Sequence, residues 1–293
     1  MKELKLGIIG LSDGNGHPYS WSAIFNGCDL TVMKDCGFPV IPEYLSKQKF
    51  PDDCILNAHV THIWTQDEAI SRHVAAASRI PNVVTRMEDM IGQVDAVLLA
   101  RDDPDDHFAM AKPFIEAGLP IYIDKPLAVS REEAERIYAL EKYPGQIFTC
   151  SALAYSDGVK REDIGKIYHL DATCIKDWKK YAIHVVEPAL RLFDYDMKIV
   201  RHNVIANDKR RIVTLEWENG LTTTFKTLSK AKCGFQIALY GTEGVQNIDF
   251  GGTFFMFRNA LKEFVSIVRG EKANFSRKIT MKAIEILERG FDA

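Results

Sequence analysis

The chain has few of the features that assign a sequence quickly. No stretch of its 293 residues reaches the ~18 consecutive apolar positions of a bilayer-spanning helix. Met1-Lys2-Glu3-Leu4-Lys5 runs straight into a strand-like segment, without the apolar core or cleavage site of a secretory signal. The six cysteines, at 28, 36, 54, 150, 174 and 233, have no paired spacing for zinc or a redox couple, so they read as reduced thiols and the cytoplasm is the expected compartment. Charge of one sign is missing too. With 37 basic against 40 acidic residues, a net charge of -3 gives no footprint for nucleic acid or an anionic membrane. H-E-x-x-H, a Walker lysine and G-x-S-x-G are all absent. His59 and His62 lie in a strand-like run, where positions three apart face opposite ways, so no metal site is expected. These absences leave a small-molecule partner.

What is present begins with a rhythm. Residues 5–11, 58–64, 95–100 and 120–124 are short apolar runs of the kind found in buried parallel strands. Between and after them, residues 67–78, 105–117 and 131–142 carry helical spacing, with Gly118 placed to end the second. Residues around 19–25 open a further helix. Residues 29–53, interrupted by Gly37, Pro39, Pro42 and Pro51, show no period and read as an excursion. Alternating strand and helix means a parallel sheet covered on both faces. After about residue 148 the pattern changes to strands at 167–174, 199–206, 211–217, 221–228, 235–240 and 245–250, with a hairpin signal at Asn219-Gly220. Helices at 254–268 and 278–289 close the chain. The fold class is therefore α/β: an N-terminal Rossmann doubly wound parallel sheet, expected over 1–125, and a C-terminal α+β domain with an open, mainly antiparallel sheet over 126–293.

The first strand ends in Gly7-Ile8-Ile9-Gly10-Leu11-Ser12-Asp13-Gly14-Asn15-Gly16. That is where a dinucleotide fold places its phosphate loop, with the following helix offering unpaired N–H groups to the pyrophosphate. Ser12 stands where the second glycine of G-x-G-x-x-G would be. Gly10, Ser12, Asp13, Gly14 and Gly16 are the loop's candidates. The residue expected to hold a ribose hydroxyl falls in Thr65-Gln66-Asp67, where Asp67 reads better as the cap of the next helix. Arg101 has two readings, a phosphate contact or a partner for the nearby aspartates. The aromatic run from His17 to Trp21 has two as well, the substrate pocket wall or domain packing.

Asp124-Lys125-Pro126-Leu127-Ala128 follows the fourth strand, at the sheet edge where ligands of such folds bind. Together with Asp95-Ala96-Val97-Leu98-Leu99-Ala100, His107 and Ala117-Gly118, this segment resembles the glucose–fructose oxidoreductase and inositol dehydrogenase (Gfo/Idh/MocA) family. That family shows D-A-V-x-I-A-T-P, a histidine, then A-G-K-H-V-x-x-E-K-P-L-A. Ile164-Gly165-Lys166-Ile167 is similar to the segment that opens its second sheet. The resemblance implies NAD or NADP as cofactor, and oxidation or reduction at a hydroxyl or keto group of a sugar, nucleotide sugar or polyol. It also implies a homodimer or homotetramer built on the open sheet. It places Asp124 and Lys125 beside the nicotinamide, with Lys125 also orienting substrate. The family's D-x-G-x-H maps onto Lys180-Tyr181-Ala182-Ile183-His184. His184 inherits the proton-transfer role, while Lys180 replaces the aspartate. Lys180 then either assists the proton, binds an anionic substrate group, or marks loss of the reaction. A nucleotide-binding sensor or partner subunit without turnover is the rival reading, as is an enzyme that keeps NAD bound and does internal redox. A compensating acid elsewhere in the pocket favours an enzyme. Pro188, four residues past His184, implies a late helix start or a kink.

Overall fold

The computed structural model describes residues 3–274 and 276–292, which form two six-stranded sheets in succession. The first holds β1 (Leu4–Ile9), β2 (Ala58–Trp64), β3 (Asn82–Val83), β4 (Ala96–Leu99), β5 (Ile121–Ile123) and β6 (Ile147–Phe148). Its order is β3-β2-β1-β4-β5-β6, with every pairing parallel. This is the doubly wound arrangement, and its strand order reverses between β1 and β4. All four residues of β4 are buried, as expected for a strand covered on both faces. The helices are α1 (His17–Asn26), α2 (Leu30–Met33), α3 (Val40–Leu45), α4 (Glu68–Ala77), α5 (His107–Glu116) and α6 (Arg131–Tyr138). Local chemistry sets their ends. Asp67 accepts from the N–H groups of Ala69 and Ile70 at the start of α4, and Ser130 from Glu133 at the start of α6. Gly118, at φ +82°, ends α5.

Two features differ from the sequence expectation. The excursion at 29–53 contains α2, capped by Asp29, and α3. Helices of four and six residues are too short to show a period. The sheet also runs past position 125, because β6 pairs with β5 at Ile121–Ile147 and Tyr122–Phe148.

The second sheet holds β7 (Ile167–Ile175), β8 (Ile199–Asn207), β9 (Arg210–Trp217), β10 (Thr222–Leu228), β11 (Gln236–Gly241) and β12 (Val245–Asn247), ordered β12-β11-β7-β10-β9-β8. Only the central β7–β10 pair is parallel. Gly220, at φ +83°, closes the β9–β10 hairpin. Helices α7 (Trp178–Tyr181) and α8 (Ile183–Leu190) follow β7, while α9 (Thr253–Val268) and α10 (Ser276–Arg289) come last. Alternate residues such as Leu170, Ala172, Val213, Leu215 and Phe225 pack with Val186, Ala283 and Leu287 of α8 and α10 in the second core. Helix α9 goes elsewhere. Its Phe254, Leu261 and Phe264 enter the first core, where Phe264 meets Phe148 at 5.8 Å and Tyr122 at 5.7 Å between ring centres.

Candidate active site

The turn after β1 is built around left-handed glycines. Gly10 has φ +81°, and a Cβ there would lie 2.5 Å from Cγ of Arg101. Ser12 to Asn15 form a β-turn, with Asn15 N–H donating to the Ser12 carbonyl at 3.1 Å and Gly14 at φ +74°. A Cβ at Gly14 would meet nothing within 4 Å, so a ligand can approach the backbone there. A Cβ at Gly16 would meet Ile41 at 2.5 Å and Phe38 at 2.7 Å, and its absence lets α3 close against the turn.

The N-terminus of α1 differs from the expectation of free donors. His17 N–H is taken by the Asn15 side chain at 2.8 Å, Pro18 has none, and the N–H groups of Tyr19 and Ser20 donate to the Gly16 carbonyl. Asp13 sits exposed at the turn tip, where its carboxylate repels a pyrophosphate and only its backbone suits one. Thr65 is buried and its hydroxyl donates to the Asp67 carbonyl at 2.7 Å, so it is not free for a ribose. Asp67 is the cap of α4. Gln66 closes the loop instead, accepting from Leu11 N–H at 3.1 Å and donating to the Leu11 carbonyl at 2.8 Å. Arg101 pairs with Asp103 and Asp106, so the second of its two readings describes it. Buried His107 bridges the carbonyls of Arg101 and Leu127.

At the carboxyl ends of β1, β4 and β5 a cleft of about 530 Å³ opens against the second sheet's helices. Asp102 is its centre. This carboxylate accepts from Ser12 Oγ at 2.8 Å, Lys125 Nζ at 3.2 Å and Lys180 Nζ at 3.4 Å. Burial alone would raise its pKa, but the Lys125 ammonium, the Ser12 hydroxyl and Lys180 hold it well below the carboxylate range. Buried Asp124 faces the other way. It accepts from Asn15 Nδ2 at 2.9 Å, from the Lys125 N–H at 2.8 Å and from His17 Nδ1 at 2.5 Å. The His17 ring is stacked on Trp21 at 5.0 Å and meets the edge of Phe257 at 5.0 Å, leaving Nε2 as its open nitrogen. An imidazole oriented this way by a buried carboxylate is a proton-transfer arrangement.

His184 lines the same cleft. Its Nδ1 hydrogen-bonds Ser151 Oγ at 2.9 Å, and its ring packs on Tyr181 and Phe235. Burial first, then the charges of Lys125 and His17, pushes its pKa well below the ordinary imidazole value. The structure thus brings Lys125, Lys180 and His184 together. Lys180 and His184 sit on two short helices, α7 and α8, rather than one. Helix α8 continues through Pro188, which has no N–H to give the His184 carbonyl. Asp102 and the paired role of His17 and Asp124 were not foreseen from the sequence. Phe38, Ile41, Met256 and Phe257 line the cleft. Apolar walls of this kind and the open approach at Gly14 fit a dinucleotide.

The model of the oxidoreductase family with an NAD-binding Rossmann fold (Gfo/Idh/MocA) matches residues 4–151. The chain is 42% identical over 89 residues to the inositol 2-dehydrogenase of Corynebacterium glutamicum strain R, a match that covers 29% of this chain and 26% of that protein. Myo-inositol 2-dehydrogenase from Lactobacillus plantarum superposes with a TM-score of 0.74 at 14% identity, over 99% of this chain and 97% of that one. GenD2 from gentamicin A biosynthesis, solved in complex with NAD, gives 0.74 at 14% identity, over 98% and 93%. UDP-N-acetylglucosamine 3-dehydrogenase GnnA from Acidithiobacillus ferrooxidans gives 0.73 at 12% identity, over 99% and 97%. At such identities the structures speak for the fold, and the family match speaks for descent: the chain belongs to the Gfo/Idh/MocA oxidoreductases, with their NAD-binding Rossmann fold.

Proposed function

We propose that the chain is an NAD(P)-dependent oxidoreductase acting on a hydroxyl or keto group of a sugar, nucleotide sugar or similar polyol. The observation that carries this reading is Lys125, held by Asp102 in one cleft with two histidines at the switch point of an NAD-binding sheet. Bound there, the nicotinamide would exchange hydride with the substrate carbon. Lys125 Nζ would donate to the substrate oxygen and steady charge on it, with Asp102 fixing the ammonium. His17, its Nδ1 proton directed at Asp124, would take the hydroxyl proton at Nε2 or return it in reduction. His184, neutral and anchored by Ser151, would hydrogen-bond the same oxygen or its neighbour. The His17–Asp124 pair would supply the acid-base capacity that Lys180 removes from the family pattern, and Asp102 would hold Lys125 in place beside it. They favour turnover over a binding-only role. In this reading the first sheet with α9 carries the coenzyme, and the second sheet carries substrate and the subunit contacts of a cytoplasmic homodimer or homotetramer.

The test is a fluorescence titration of purified protein with NADH and NADPH in separate runs. Saturable binding of one in the micromolar range is expected. Binding of neither, with no nucleotide released on denaturation, overturns the proposal.

A further inference from the structure

The cleft is charged in one direction. Lys125, Lys176 and Lys180 all reach it or its central carboxylate, whereas Asp102 is the only acidic side chain lining it among the described residues. Lys125 and Lys180 share Asp102, while Asp124 is held by Asn15 Nδ2, the Lys125 N–H and His17 Nδ1. Lys176 has no carboxylate within 4.0 Å among the described residues. Its ammonium bonds the Tyr181 hydroxyl and lies 4.2 Å from that ring's centre, while Lys125 Nζ lies 5.6 Å from the same centre. The backbone is bent to place it there: Lys176 has φ +63°, a left-handed conformation unfavourable for a residue with a Cβ. The turn occurs between the end of β7 and Asp177, whose side chain caps α7 at the Lys180 N–H. Three ammonium groups against the carboxylates of Asp102 and, with His17 neutral as the base, Asp124 leave one positive charge uncompensated beside the reacting position.

We propose that the substrate carries an anionic group, a carboxylate or a phosphate, held by Lys176 and Lys180 on the Tyr181 side of the cleft while Lys125 serves the reacting oxygen. The inference rests on the oxidoreductase reading and narrows its substrate to a sugar acid or a sugar phosphate. Lys176 is exposed at the cleft mouth, so an anion arriving there exchanges water for charge-assisted hydrogen bonds that a neutral polyol cannot make.

The experiment is a calorimetric titration with D-glucose, D-glucuronate and D-glucose 6-phosphate, on the protein alone and on the protein saturated with NADH. At least one charged sugar should bind about tenfold tighter than glucose in both states, the scale of one charged hydrogen bond. Its advantage should shrink in about 0.5 M NaCl. The stronger of the two charged sugars names the group. Lys176→Met should remove most of the preference, and Lys176→Arg should restore it. NADH affinity serves as the control for an intact fold. Equal binding of the three sugars, or binding of none, overturns the proposal. So does a preference that vanishes on NADH saturation, because the lysines would then hold the coenzyme's phosphates. A protein that binds no NADH but keeps the preference loses the oxidoreductase reading and keeps the anion site.

Discussion

Asp102 lies three residues past the end of β4, and it joins Ser12 of the first turn, Lys125 after β5 and Lys180 of α7. Lys125 and His184 were legible in the sequence because each sits inside a distinctive local string. Asp102 was not, because its role arises where four separate segments converge and nothing in Arg101-Asp102-Asp103 distinguishes one aspartate from another. Lys125→Ala should abolish turnover, by a hundredfold or more on the scale of a lost electrostatic stabiliser, and should leave the fold intact. Lys180 and Ser12 would remain on Asp102, so the carboxylate would not be stranded. Steady-state kinetics beside circular dichroism check both halves, and unchanged activity would sink the proposed site. The low pKa of His184 gives a second outcome at this scale. Folding keeps the ring neutral below its ordinary value of 6.5, where the unfolded chain would take up a proton. The stability linked to His184 is therefore fully present above about pH 6.5 and is lost as pH falls below it. Melting temperatures measured at about pH 7.5 and 5.5 should differ more for the native protein than for His184→Asn.

At the scale of elements, α4, α5 and α6 were readable because a cap, an apolar face or a stop signal marks each. The two helices inside 29–53 were not, and neither was the parallel β7–β10 pair. Alternation says which face of a strand is buried, and it is silent on the neighbour. The same limit hid the destination of α9. Its spacing announces a buried stripe of Phe254, Leu261 and Phe264 without saying which core receives it. Because Phe264 fills a space between Tyr122 of β5 and Phe148 of β6, Phe264→Ala should cost about 3–5 kcal/mol. The loss should appear as a lower denaturant midpoint. Equal stability of the variant would mean that α9 does not secure the coenzyme sheet.

For the whole molecule, composition and rhythm were enough for the fold class, since alternating strands and helices admit few architectures. Departures from the family's motifs lie at the Gly10–Gly16 turn and the α7–α8 corner, the two segments that the proposed mechanism sets against coenzyme and substrate. Coenzyme should act on stability globally. NADH at a hundred times its dissociation constant should raise the unfolding free energy by about 2.7 kcal/mol, read as a higher melting temperature.

The crossing of α9 sets a timetable for biosynthesis. The strands of the first sheet have all been synthesised by residue 148, yet their hydrophobic core includes side chains from 254 to 265. Ribosomes add roughly 5–20 residues each second. The half-made sheet must therefore wait on the order of ten seconds with an apolar face uncovered, the interval in which a holding chaperone would matter most.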